Sequence, residues 1–188
     1  NNFKIDYLVL SKYDSYGITH KNILYVGGKN LSKIDEVGIV FLGPIKRYSS
    51  ANDSSIVFQI KVKLETYLFT GDIEKEAEID LVNKYGTKLK SKYLKVPHHG
   101  SKTSSSVKLL DAVDPTIAVI SCGEDNKFNF PHKEVYEKYI NKYVFIKFFQ
   151  FYVIILSGSD NMINIKKYLK KHKTFIILYS VLTIICIS

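Results

Sequence analysis

Cysteine is scarce in this chain: Cys122 and Cys186 are the only two among 188 residues. Two such residues cannot build a disulfide framework, and neither belongs to a Cys-x-x-Cys pair. Cys122 has no histidine close to it in sequence and reads as a small buried residue at a strand end. Long apolar runs are also lacking. The most continuous one, Phe175 to Ile187, has 13 residues, whereas a membrane-spanning helix needs roughly 20. It is read as a strand or core helix, or as an incomplete interfacial anchor. There is no initiator methionine, no cleavable signal peptide and no internal repeat. The chain reads as beginning just before a strand, as a fragment or trimmed chain would. Acidic residues are in deficit, 18 against 27 basic ones, for a formal charge of +9. That excess favours a phosphodiester, a nucleotide or an anionic lipid as partner.

With 46% apolar residues, the chain can bury one ordinary core. Strands are expected at Ile5 to Leu10, Asn22 to Val26 and Val37 to Leu42, with a loop joining the first two. Ser55 to Val62 and Glu65 to Phe69 read as a hairpin with one wet face, because Lys61, Lys63 and Glu65 alternate. Ala77, Leu81 and Tyr85 recur every four residues, which predicts a helix over Glu74 to Tyr85 ending at Gly86. Further strands are expected at Lys92 to Val96 and Thr116 to Ser121, and helices at Ser104 to Ala112 and Lys133 to Tyr143. Strands interspersed with helices point to a layered α+β domain over residues 1–160. Residues 161–188 form a basic and apolar tail, in which Lys166 to Lys173 would meet an anionic membrane surface. The chain is therefore expected to be cytoplasmic or membrane-associated.

The chemistry-bearing residues gather at strand ends. Asp72 follows a strand through the flexible Gly71, and it reads either as a metal ligand or as a cap for the helix that begins near Glu74. His98 and His99 follow the next strand through Pro97. Adjacent side chains in extended backbone point apart, so one of the two is expected to be the ligand, with His98 favoured. Gly100 permits a tight turn, and Ser101 caps the next segment. His132, behind Pro131, offers a third donor or sits as a solvated residue at a helix start. His20 is weaker, and His172 belongs to the basic tail.

Thr70-Gly71-Asp72, Lys95 to Ser101, Ser104 to Ser106, Ile120 to Gly123 and Asn126 to Pro131 occur in the order found in metallo-β-lactamase-fold hydrolases. The chain most resembles the soluble domain of the ComEC/Rec2 competence proteins and their free-standing relatives. The polar segment Asn52 to Ser55 adds to the likeness, which spans about residues 3–143. The resemblance implies an αββα sandwich, here an incomplete one, with two metal ions at one edge and water-driven hydrolysis of a phosphodiester. Asp72 would bridge the metals and His98 would bind one. Asp14 and His132 would complete the metal ligands, with Asp14 and Asp72 in catalytic roles. His99, Ser101 and Lys102 would contact a nucleic-acid or other phosphodiester substrate. The expected metal is Zn2+ or Mn2+, held weakly or not at all.

The early motif departs from the family. Lys12, Tyr16 and Gly17 stand where relatives carry histidine, aspartate and histidine, so Asp14 alone remains as a carboxylate donor. In the late loop, Asn129-Phe130-Pro131 replaces Gly-His-Pro. Asp14, Asp72 and His98 are expected to converge at one edge of the sandwich with Lys12 close by. A degenerate member without catalysis, keeping the fold and a basic face, is the alternative to an impaired hydrolase.

Overall fold

Lys63 and Leu64 form a two-residue turn that folds the central segment back on itself, with Lys63 at positive φ and Val62 paired to Glu65. The computed structural model describes residues 8–13, 17–27, 30–34, 37–123, 125–142 and 144–149. In chain order the strands are β1 (Leu8–Ser11), β2 (Ile23–Val26), β3 (Asn30–Ile34), β4 (Val37–Phe41), β5 (Phe58–Val62) and β6 (Glu65–Phe69), followed by β7 (Tyr93–Lys95), β8 (Ile117–Ser121) and β9 (Phe145–Phe149). The helices are α1 (Lys75–Tyr85), α2 (Val107–Val113) and α3 (Lys133–Asn141).

Seven strands form one sheet in the order β3-β4-β5-β6-β7-β8-β9. From β3 to β6 the pairing is antiparallel, with the two-residue turn joining β5 to β6 and the longer segment 42–57 joining β4 to β5. From β6 to β9 it is parallel, with one helix in each connection, as parallel neighbours require. The carboxyl ends of β6, β7 and β8 therefore share one edge. Strand β3 was not expected from the sequence. It is an edge strand, placed by its ladder to β4 rather than by an apolar alternation of its own.

Leu68, Leu94 and Ala118 are in register across β6, β7 and β8, and all three are buried. They lie in one core with Leu81 of α1, Leu109 and Leu110 of α2, and Val135 and Tyr139 of α3. The neighbouring row, Tyr67, Tyr93 and Ile117, points to the opposite face of the sheet and is only half-buried. The Tyr67 and Tyr93 rings stack there at 4.4 Å.

Strands β1 and β2 make a second, two-stranded sheet, and they are parallel. The Tyr13 hydroxyl donates to the Ile45 carbonyl at 2.9 Å, and Arg47 donates to the Tyr13 carbonyl at 3.0 Å. These bonds fasten the end of β1 to the loop after β4. Two sheets of unequal size and three helices thus give the mixed α/β layers expected, with the second sheet small among the described residues. The chain divides into Asn1–Phe151 and Tyr152–Ser188. The tail, with its expected membrane contact, lies outside the described residues.

Candidate functional site

Strand β6 ends in a turn that only glycine can make. Gly71 has φ +56°, and a Cβ there would lie 2.6 Å from the Ser55 Cβ. Ser55 Oγ accepts from the Asp72 N–H at 3.1 Å, fixing the backbone of that turn. The cap of α1 comes from elsewhere. Asp53 Oδ1 accepts from the N–H groups of Glu74 at 2.7 Å and Ala77 at 3.3 Å, so a loop residue 21 positions upstream serves the orphan donors. The capping role open to Asp72 belongs to Asp53, and the Asp72 carboxylate is left for the sheet edge.

There Asp72 Oδ1 meets Lys95 Nζ at 3.3 Å and His99 Nε2 at 3.4 Å. Burial works to raise the Asp72 pKa, but the hydrogen bond from His99 and the Lys95 charge outweigh it and hold the carboxyl well below the usual range. Lys95 also donates to the Gly71 carbonyl at 2.8 Å. Sequence reasoning placed Lys95 at the head of its motif but gave it no role, although a signal for one exists: a lysine ends the otherwise apolar β7, paired in parallel with the strand that leads to Asp72.

His98 and His99 are not in extended backbone. They occupy a 3-10 turn, Pro97–Gly100, with φ of 44° and 55°. Gly100 closes it at φ +87°, where a Cβ would lie 2.5 Å from the Pro131 Cβ. The two rings still diverge, and the one that meets Asp72 is that of His99. His99 faces Asp72, while His98 Nδ1 lies 3.3 Å from Glu74 Oε1 and 3.4 Å from Thr103 Oγ1. His99 Nδ1 is 2.5 Å from the Ser121 carbonyl. A carbonyl only accepts, so Nδ1 bears an N–H and donates, and the hydrogen bond to the Asp72 carboxylate requires a second N–H on Nε2. Such a carbonyl orients the opposite nitrogen, Nε2, toward the carboxylate.

Ser101 is buried, with its Oγ 3.0 Å from Thr103 Oγ1, so it supports the turn. Lys102 is exposed, and its backbone N–H donates to His132 Nδ1 at 3.1 Å. His132 stands at the start of α3 without capping it through its side chain. Asn126 shapes the loop before it: its amide donates to the carbonyls of Gly123 and Phe130, and its oxygen accepts from the Phe130 N–H.

Phe130 lies among the imidazoles. Its ring centroid is 5.6 Å from His98, 6.4 Å from His99 and 5.2 Å from His132. Phe128 stacks on it at 5.4 Å, with 20° between the planes.

The early segment supplies little. Lys12 is exposed, its stem packs on Gly27, and its ammonium sits 5.0 Å from the Tyr13 ring centroid. The ammonium shown meeting Asp72 is that of Lys95. Gly17, at φ +58°, brings no side chain. Asp14 lies outside the described residues, so its convergence with Asp72 is not part of this geometry. Asp72 and the His98–His99 turn do share one edge, as expected, with the His98 N–H donating to the Gly71 carbonyl at 3.2 Å.

A structural or catalytic zinc needs three or four nitrogen, oxygen or sulfur donors around one point. Asp72 and His99 make a pair, yet Lys95 lies on the same carboxylate oxygen, and the Phe130 ring packs against both remaining imidazoles. Among the described residues, no group of three histidine, cysteine, aspartate or glutamate side chains is placed to hold a metal ion. The described donors do not fit the two-metal centre implied by the resemblance.

The chain is similar to parts of longer proteins, competence proteins among them. It is 37% identical over 87 residues to ComE operon protein 3 of Bacillus subtilis, covering 46% of this chain and 11% of that protein. It is 40% identical over 102 residues to Competence protein ComA of Neisseria gonorrhoeae, covering 54% and 15%. Recombination protein 2 of Haemophilus influenzae is 40% identical over 87 residues, covering 46% and 11%. The chain thus spans well under a fifth of the length of these relatives. A crystal structure from Thermotoga maritima, assigned to the metallo-beta-lactamase superfamily, matches 77% of this chain and 81% of that one, with 13% identity and a TM-score of 0.48. The family model of the metallo-beta-lactamase superfamily matches residues 24–124. That stretch carries both the glycine turn before Asp72 and the paired histidines, and the chain belongs to the metallo-beta-lactamase superfamily.

Proposed function

We propose that this chain is a superfamily domain in which metal-dependent phosphodiester hydrolysis is impaired or lost, while the edge of the sheet persists as a basic binding face. The observation that carries the reading is Phe130. Its ring has no lone pair, lies within 6.4 Å of three imidazole centroids, and replaces the histidine of the Gly-His-Pro pattern. Lys12 and Gly17 stand at two more ligand positions and supply no anionic or imidazole donor. A formal +9 charge supports a polyanionic partner by long-range attraction. Hydrolysis in this family depends on a metal to acidify the attacking water and offset transition-state charge. Without a full donor set, that assistance is weak.

The test has two arms. Zinc and manganese are measured per chain after equilibration and buffer exchange, and turnover of a chromogenic phosphodiester is compared with an Asp72→Ala control. Metal below one ion per chain and a rate equal to the control are expected. A quadruple variant, Lys12→His, Tyr16→Asp, Gly17→His and Phe130→His, is expected to gain metal. An unaltered chain that holds two ions and exceeds the Asp72→Ala rate would make it an active hydrolase and overturn the reading.

A second reading concerns the tail, where Lys166 to Lys173 precede an apolar run and favour an anionic membrane surface. Sedimentation with anionic liposomes, with and without residues 165–188, checks it. Equal sedimentation of the two would remove the tail from any attachment.

A further inference from the structure

We propose that the end of the large sheet opposite Asp72 docks onto an anionic lipid surface, with Leu64 inserting and Lys61, Lys63 and Lys88 meeting the headgroups. The inference goes beyond the readings above, since it uses neither the site at the carboxyl ends of β6, β7 and β8 nor the tail.

The turn between β5 and β6 breaks two local rules at once. Lys63 has positive φ and Leu64 does not, which is the form of two-residue turn whose first position takes glycine. A lysine there is strained. Leu64, the second residue, is 93% exposed. A leucine standing singly on a surface is ordinary, but this one sits at a hairpin tip, where an Asn-Gly pair would make the turn with less strain. Strain retained to present an apolar side chain points to a contact made by that tip.

The backbone around the tip is basic. Lys61 pairs with Thr66 across the hairpin, and the Thr66 hydroxyl accepts from the Lys92 N–H at 3.2 Å. Gln59 of β5 donates to the carbonyls of Lys88 at 3.4 Å and Lys90 at 3.2 Å. These bonds gather the segment before β7 beside the hairpin. Lys90 and Lys92 are engaged by Asp114 and Glu65, each at 2.7 Å. Lys61, Lys63 and Lys88 are exposed and make no ion pair among the described residues, so their charges remain for an outside partner. Tyr67, three residues beyond Leu64, adds its half-buried stack with Tyr93; rings with apolar bodies and polar tips suit the level of the headgroups.

The size of the tip selects the partner. A protein interface takes roughly 20–30 residues a side, far more than one leucine and its neighbours. Leucine also has no ring on which a nucleic-acid base could stack. A bilayer accepts a wedge of this size, and its anionic surface adds about fivefold in affinity for each lysine held near it.

The experiment is vesicle binding by the full chain. The sequence has no tryptophan, so Leu64→Trp places a single fluorophore at the tip. Its emission is expected to shift to the blue on vesicles of phosphatidylserine and phosphatidylcholine, and to be quenched when the acyl chains are brominated. Phosphatidylcholine alone should leave it unchanged. Lys63→Asn combined with Leu64→Gly should keep or raise the denaturation midpoint while weakening partition at least about tenfold, the factor that burying one leucine supplies. A purely structural turn would not lose binding as the midpoint rises. Lys61→Gln should weaken partition about fivefold. Unshifted emission from Leu64→Trp while the chain sediments with the vesicles would overturn the tip and leave attachment to the tail. No partition at all, or full partition by the double variant, would overturn it as well. Hydrolysis at Asp72, present or absent, moves none of these readouts.

Discussion

Gly100 shows how a single missing side chain positions the paired histidines. At φ +87° an L-residue is strained, and a Cβ would run into Pro131 at 2.5 Å. Gly100→Ala is therefore expected to cost at least about 1–3 kcal/mol from backbone strain alone, read as a lower denaturation midpoint. It should also move His98 and His99 relative to Phe130, visible as altered imidazole chemical shifts. Asp72 acts at the same scale through charge. Its folded pKa is depressed, so its contribution to stability is present above the ordinary carboxyl range and fades as pH falls through the lowered folded value. Chemical denaturation of the native chain and Asp72→Asn should therefore differ most near neutral pH, and the gap should narrow below about pH 4. A gap that widens on acidification would contradict the pairing with His99 and Lys95.

The junction between α1 and α2 depends on one buried carboxylate. Glu78 lies on the inner face of α1 beside Ala77, Leu81 and Tyr85. It accepts from the N–H of Ser105 at 2.6 Å and of Ser106 at 2.7 Å, holding the turn that leads into α2. Ser105, at positive φ, has its hydroxyl 3.1 Å from that of the fully buried Tyr139 in α3. Glu78→Ala leaves two inner donors without a partner and is expected to cost about 2–5 kcal/mol of unfolding free energy. The pH dependence has the opposite sign to that of Asp72. Burial raises the Glu78 pKa against the hydrogen bonds from Ser106 and Ser105, so its stabilisation is complete below the ordinary glutamate range and declines as pH rises through the raised value. Relative to Glu78→Gln, which does not titrate, the native chain should lose ground in denaturant midpoint above about pH 4.

At the scale of the whole molecule, the bonds at Tyr13 tie the small sheet to the loop after β4. Tyr13→Phe removes the bond to the Ile45 carbonyl, at a net cost of about 1 kcal/mol. Hydrogen exchange should quicken at the amides of Leu8 and Lys12, which bond to Asn22 and Val26, while the inner strands β6, β7 and β8 keep their protection. Uniform quickening across both sheets would mean that they open as a single unit. The parallel half of the large sheet has its own packing: Leu68, Leu94 and Ala118 bury in one core with the helices of their connections.

The hairpin β5–β6, the helix carrying Ala77, Leu81 and Tyr85, and the strand ends bearing Asp72 and the paired histidines were legible in the sequence. Each is set by local chemistry: alternation, four-residue spacing, or glycine next to a polar residue. Ordered motifs also indicated the family. Tertiary structure decided the rest, because it brings together residues that no local pattern links. Strand β3 exists through its ladder to β4. The cap of α1 is Asp53, which reaches it from a loop 21 residues before Glu74. His99 rather than His98 faces Asp72 because both histidines adopt left-handed backbone, where the alternation of an extended strand no longer applies. Lys95 meets Asp72, and Phe130 settles among three imidazoles, because parallel pairing of β6, β7 and β8 brings their carboxyl ends to one edge.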